Sequence, residues 1–294
     1  MRMGLIVPQG WTGEYDGWDA RRAWERTQAV ARLADSIGFE SIWLFDHFHT
    51  VPDPTDELTF ESFTSLSALA AVTERVRLGH IVVCTGFRQP SLVAKMISTM
   101  DVISGGRMEL GIGAGWKEEE WLAYGYDFPS LRTRLDGLAD ALEIVTRMFG
   151  PGRATFAGST AHVAGAINLP KGLQRPRIPI MVGGNGPERT WRLAARFADE
   201  INLDGMPPAE VAEALPVIRS RCEEIGRDPA SLRVSVHIWT EDAAVEGPQR
   251  VELLRGYREL GVARVMTLLQ ASADSDDPVK RLVDDAMAAG CTFD

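Results

Sequence analysis

The sequence predicts a single closed α/β barrel, the (β/α)8 or TIM-barrel architecture, with an inserted hairpin before strand 5. Three observations carry that expectation. Eight short apolar runs alternate with longer segments of helical period over 294 residues, and eight such units fill one barrel domain of roughly 250 residues or somewhat more. The runs are apolar on both faces, as suits a parallel sheet covered by helices. The first run passes into Pro8-Gln9-Gly10-Trp11-Thr12-Gly13, which lacks the glycine fingerprint that opens a doubly wound dinucleotide-binding sheet. No internal repeat, linker or low-complexity tract divides the chain, so residues 1–294 are expected to form one domain.

Strands are expected at residues 3–8, 41–45, 77–83, 108–113, 178–183, 200–204, 233–240 and 264–269, each four to eight residues rich in Val, Ile, Leu or Met. The helix at 19–37 carries Trp24, Val30, Ala31, Ala34 and Ile37 on one stripe and ends at Gly38, a C-cap residue. A shorter helix is expected at 60–72, and the next at 90–104 stops at Gly105-Gly106. Leu135, Leu138, Ala139, Leu142, Val145 and Phe149 recur at three- and four-residue steps through 131–149, before Gly150-Pro151. Further helices are expected at 187–197, 208–225, 248–260 and 277–289. Residues 154–170 combine turn residues with β-like alternation and predict the hairpin. Segments 48–59 and 118–130 read as long loops, the first and second of the stretches on which substrate choice would rest together with that hairpin.

Composition narrows the function. Against 31 Lys+Arg stand 41 Asp+Glu, a formal net charge of −10, the wrong sign for a nucleic-acid partner, whose phosphates require clustered cations. With 45% hydrophobic and 24% charged residues, the balance is that of a soluble globular protein. No apolar run approaches the roughly 18 residues of a membrane span, and the apolar start is too short for a secretion signal. A cytoplasmic protein with no membrane partner is expected. Cys84, Cys222 and Cys291 are far apart with no CxxC, so neither a disulfide frame nor a thiolate metal site is expected.

In such a barrel, chemistry gathers at the C-terminal ends of the strands. The second strand runs Ile42-Trp43-Leu44-Phe45 into Asp46-His47-Phe48-His49. It brings an acid and two imidazoles to the mouth, and a carboxylate there needs a partner. Asp46 could instead cap the following turn and His47 fill the rim. His47 and His49 point opposite ways in an extended segment, which disfavours metal binding. The third strand exits through Ile81, Val82, Val83, Cys84, Thr85 and Gly86, where Thr85 and Gly86 permit close backbone approach. Cys84 reads as a packed small residue rather than a nucleophile. The fourth ends Gly111-Ile112-Gly113-Ala114-Gly115-Trp116, in which Trp116 breaks the dinucleotide pattern. Its glycines could clear room for a planar ligand with Trp116 as one wall, or merely serve a tight barrel corner. The fifth gives Gly183-Gly184-Asn185-Gly186, with Pro187 expected at the first helical position. Backbone N–H groups there favour an anion such as phosphate, though an ordinary βα turn would look similar. The sixth delivers Asn202 and Asp204, which either meet a ligand or cap the next turn.

These ends, with the segments GFESIWLFDHF, VRLGHIVVCTGFRQPSLVAKM, ISGGRMELGIGAGW, RLDGLADALEIV, NLPKGLQRPRIPIMVGGNG and RTWRLAARFADEINLDG, resemble the bacterial luciferase-like family over nearly the whole chain. The resemblance is to its branch of oxidoreductases that use the deazaflavin coenzyme F420. It implies a ring-binding bulge with a non-proline cis peptide at Ile81-Val82. It also implies Asp46 and His47 beside ring and substrate, Gly113 to Trp116 along the ring's other edge, and Gly183 to Gly186 around the phosphate. Homodimers are usual in that family. Its sugar-phosphate dehydrogenases carry a glutamate where this chain has Trp116 and a tryptophan near Val51, which disfavours that substrate and points to a more apolar pocket.

A deazaflavin transfers hydride, so the protein must align substrate and ring, exclude water and manage one proton. His47 is the expected proton donor or acceptor, with Asp46 as its orienting or ring-contacting neighbour. Two alternatives stand beside the F420-dependent oxidoreductase: an FMN-dependent two-component monooxygenase on the same fold, and a flavin or deazaflavin binder without turnover. A metal-dependent hydrolase is disfavoured by scattered acids and the lack of a His-x-His after the first strand.

Overall fold

The computed structural model describes residues 1–293. Its strands are β1 (Arg2–Ile6), β2 (Ser41–Leu44), β3 (Arg77–His80), β4 (Val83–Cys84), β5 (Met108–Gly113), β6 (Ala154–Ala157), β7 (His162–Ala166), β8 (Ile180–Gly183), β9 (Glu200–Asp204), β10 (Arg233–Ile238) and β11 (Arg264–Leu268). Its α-helices are α1 (Ala20–Ile37), α2 (Ser62–Val72), α3 (Pro90–Ile103), α4 (Glu118–Ala123), α5 (Leu131–Phe149), α6 (Thr190–Phe197), α7 (Pro208–Glu223), α8 (Thr240–Ala244), α9 (Pro248–Glu259) and α10 (Asp277–Ala288).

The sheet closes on itself. Parallel pairing runs β1–β2–β3–β5–β8–β9–β10–β11, and β11 returns to β1 with Arg2 opposite Arg264 and Ile6 opposite Leu268. β4 continues the stave begun by β3 and pairs with β5. All eight expected strands are therefore barrel staves, and the α/β barrel is the observed fold. The stave expected as one piece over 77–83 is interrupted between His80 and Val83, where Ile81-Val82 is a cis peptide. The apolar strand residues bury on both faces, inward against Trp43, Ile81, Met181 and Met266, and outward against the helices.

Local chemistry explains the helix limits. Asp19 caps α1 by accepting from the amides of Arg21 and Arg22, and Gly38 ends it at φ 99°, a left-handed conformation suited to glycine. The sixth helix starts at Thr190 rather than 187, because residues 187–189 form a turn in which the Trp191 amide reaches the Gly186 carbonyl at 3.0 Å. The segment 118–130 is not all loop. Glu118, Glu119 and Glu120 open α4 at its positive end, where acidic side chains are favoured. The inserted hairpin is β6 and β7, paired antiparallel. Its turn is tied to α5 by Asp140, which accepts from the Thr160 amide at 2.7 Å and the Thr160 hydroxyl at 2.8 Å. No described helix is long and apolar enough to cross a membrane.

The lower end of the barrel is sealed by charge. Arg264, fully buried at the start of β11, donates to Glu109 at 2.7 Å and Glu200 at 2.8 Å, and lies 3.2 Å from Glu40. Its guanidinium sits 4.8 Å over the Trp43 ring. Arg77 also pairs with Glu109. Burial alone would raise the pKa of Glu109, but these two guanidiniums outweigh it and hold the carboxyl well below its ordinary value.

Candidate active site at the barrel mouth

The opposite end is open, with a cavity of about 430 Å³ between the strand termini, within the usual size of a small-molecule site. His47, just past β2, is its central polar group. The His47 ring stacks on Trp11 at 4.5 Å and 12°. Its Nδ1 lies 2.7 Å from Oε2 of Glu120, while Oε1 of Glu120 accepts from the Phe48 amide at 2.6 Å. Glu120 is fully buried at the first turn of α4. Burial pushes its pKa up, but the His47 hydrogen bond and charge and the Phe48 amide together bring it below the usual carboxylate value. An ionised carboxylate only accepts, so Nδ1 carries a proton and Nε2 is the nitrogen not engaged by Glu120.

Asp46 is hydrogen-bonded to groups other than His47. Arg88 contacts both its oxygens, at 2.8 and 3.0 Å, Ser62 donates at 2.8 Å, and the Cys84 amide donates at 3.0 Å. With those positions filled, Asp46 cannot orient His47; Glu120 does that. Asp46 instead ties the end of β2 to β4, just past the Ile81-Val82 bulge. It also lines the cavity, so the ring-contacting half of the expectation is compatible with its position.

Ile81, Val82, Gly113, Ala114, Gly115, Trp116, Gly183 and Gly184 line the same cavity as Asp46 and His47. The glycines, however, clear room for the protein's own bulge. A Cβ on Gly113 would stand 2.7 Å from a Val82 methyl, and one on Gly183 2.8 Å from the other. Val82 is thus wedged between the ends of β5 and β8, forming an apolar floor. Cys84 is buried, which pushes its thiol up to about 12, consistent with packing rather than nucleophilic chemistry.

Thr85, Asn185 and Gly186 do not line the cavity. The Thr85 amide donates to Gly113 at 3.0 Å, continuing the β4–β5 ladder. Both polar atoms of the Asn185 side chain are taken by the backbone of Asp204, at 2.7 and 2.9 Å, so it clamps the turn rather than reaching inward. Gly186 accepts from the Trp191 amide and supports that turn from behind. The turn still fits an anion. Among the described residues the amides of Glu188, Arg189 and Thr190 donate to no protein acceptor, and Thr190 lines the cavity.

Sequence reasoning missed Trp11, Glu120, His237 and Trp239, all in the cavity wall. Trp11 follows the first strand, as the other site residues follow theirs, and could have been found by position. Glu120 is hidden among three consecutive glutamates that look like a solvated face. Among the described residues no group of three or more His, Cys, Asp or Glu side chains could hold a metal ion.

Comparison with known proteins agrees with this architecture. A Mycobacterium tuberculosis protein described as uncharacterised is 32% identical over 186 residues, 58% of this chain and 64% of that one. The chain thus spans about 64% of the length of the mycobacterial relatives it matches. An F420-dependent glucose-6-phosphate dehydrogenase of Microbacterium testaceum is 29% identical over 281 residues, 85% of this chain and 80% of that one. The solved structure of an F420-dependent secondary alcohol dehydrogenase, in complex with an F420-acetone adduct, superposes with a TM-score of 0.80 at 17% identity. It covers 97% of this chain and 98% of that one, a likeness of fold. The profile of the luciferase-like monooxygenases runs over residues 1–288, through all eight barrel units, and the chain belongs to that family.

Proposed function

We propose that the protein is an oxidoreductase that binds coenzyme F420 in the mouth cavity and exchanges a hydride between it and a small organic substrate. The observation that carries this reading is the carboxylate-held imidazole of His47, facing a cavity with the apolar Ile81-Val82 bulge on one side and the turn before α6 on another. The residues suit the coenzyme. Ile81, Val82 and Ala114 would lie under its ring, and the free Thr190 amide beside Gly184 would meet its phosphate. When bound, the coenzyme supplies or accepts the hydride. The protein does the rest: Trp11 and Glu120 fix the His47 ring, and Nε2 gives or takes the accompanying proton. The aromatic walls keep water from the reacting pair. The named activities of the Microbacterium relative and the alcohol dehydrogenase support the choice of coenzyme. Trp116, exposed at the rim, supports an apolar substrate rather than a sugar phosphate.

A fluorescence titration of the pure protein with F420 and FMN side by side tests the coenzyme. Saturable F420 binding tighter than FMN binding is expected; tight FMN binding with none of F420 would overturn the reading in favour of a flavin monooxygenase. Replacing His47 by alanine should leave F420 binding largely intact and abolish turnover. If no acceptor or donor is turned over by either form, the protein is a binder without chemistry. Gly183→Ala should displace Val82 from its wedge and weaken F420 binding roughly tenfold, with only a modest loss of stability. The same titration measures it.

A further inference from the structure

The cavity holds a second imidazole that the chemistry above does not use. His237, near the end of β10, is 4% exposed and lines the cavity wall. Its Nδ1 lies 3.2 Å from Oδ1 of Asp204. The arrangement repeats that of His47 and Glu120: a carboxylate holds Nδ1, and among the described residues Nε2 has no hydrogen-bond partner. The two imidazoles flank one aromatic surface. His47 stacks on Trp11, Trp11 meets Phe45 at 4.0 Å between centroids, and Phe45 meets His237 at 5.5 Å. Trp116 stands edge-on to His47 at 6.0 Å and is 62% exposed, a large indole face with room for a ligand against it.

Lys117, the one lysine of the wall, donates to the Pro52 carbonyl at 2.9 Å and lies 3.8 Å from Glu119. Arg88 is held by Asp46 and Glu61. Among the described residues this wall thus holds one lysine, already hydrogen-bonded to a backbone carbonyl, beside two imidazoles and the open face of Trp116. Hydrogen bonds at two ends of an aromatic-lined apolar wall select an apolar ring compound with a polar atom at each end.

We infer that His237, held by Asp204, is a second substrate anchor, and that the substrate is an unsaturated ring compound with two oxygen functions, one for each imidazole. The inference rests on the reading above only in placing the reacting end at His47. Asn185 strengthens the anchor, because its two hydrogen bonds to the Asp204 backbone brace the residue that holds His237.

Calorimetric titration with 4-hydroxyacetophenone and acetophenone, on the free protein and on the protein loaded with oxidised F420, tests it. The first probe should bind roughly tenfold more tightly than the second, the ratio expected for one added hydrogen bond. His237→Phe should reduce the preference to twofold or less while F420 affinity stays unchanged. Asp204→Ala, at a half-exposed position that tolerates truncation, should reduce it in the same direction if the phenylalanine variant fails to fold. Equal affinity for the two probes, no binding of either, or a preference that survives both substitutions overturns the inference. Loss of F420 binding with the probe preference intact would instead overturn the coenzyme reading and leave this one standing.

Discussion

Replacing Glu120 by alanine is expected to cut turnover by roughly 10²- to 10⁴-fold, the range for a positioned proton donor or acceptor. The variant should keep its F420 affinity within a few-fold. The loss arises because one carboxylate does two things: Oε2 fixes the Nδ1 proton of His47 and Oε1 holds the Phe48 amide that follows it in the chain. Without them the imidazole is free to rotate about its side-chain bonds and to exchange tautomers. The half-buried Phe48 amide then costs about 1 kcal/mol of stability for want of an acceptor. Glu120→Gln, which keeps an acceptor for one of the two bonds, should recover part of the rate. Turnover with the best acceptor of the wild type, together with F420 titration and thermal unfolding of each variant, separates catalysis from folding. An alanine variant as fast as the wild type would mean that His47 is not held through Glu120.

The largest effect on stability is expected at the other end of the barrel. Arg264→Ala should cost about 3–5 kcal/mol, the usual consequence of removing one member of a buried charge cluster. Glu109, Glu200 and Glu40 would then face one another with much of their neutralising charge gone. The pH dependence carries a sign that distinguishes this cause from simple loss of packing. In the wild type the folded-state pKa of Glu109 is depressed. Its contribution is therefore complete above the ordinary carboxylate pKa and is lost as pH falls through the depressed value. In the variant the remaining buried carboxylates should have raised pKa values, so stability should rise as pH is lowered from 7 toward 5. Urea unfolding at pH 7, 6 and 5 checks both statements; a variant with the same slope as the wild type would count against the charge explanation.

The barrel was legible because the physical signal was repeated. Runs such as Met108 to Gly113, apolar on both faces and bounded by polar turns, require cover on two sides, and eight of them leave few architectures. Helix limits were legible where a cap residue carried them, as at Gly38, and were misplaced where a turn intervened, as at Pro187. The site was half legible. His47 follows a strand directly, and position alone singles it out. Glu120 could not be found that way: nothing in Glu118-Glu119-Glu120 tells which glutamate turns inward, since that depends on a short helix packing across the mouth. Asp46 shows the converse. Its position drew attention, but its partners Arg88, Ser62 and the Cys84 amide come from separate segments, and only their convergence reveals a structural tie. Asn185, chosen for its place in a glycine-rich turn, proved to serve the backbone next door for the same reason.

The charged seal around Arg264 has a consequence for how this scaffold can change. The cluster shares no residue with the cavity wall, so the rim can be rewritten without disturbing it. Swapping exposed residues of the segment around Tyr124, such as Leu122, should leave the melting temperature nearly untouched, which makes this chain a tolerant starting point for laboratory evolution of the rim.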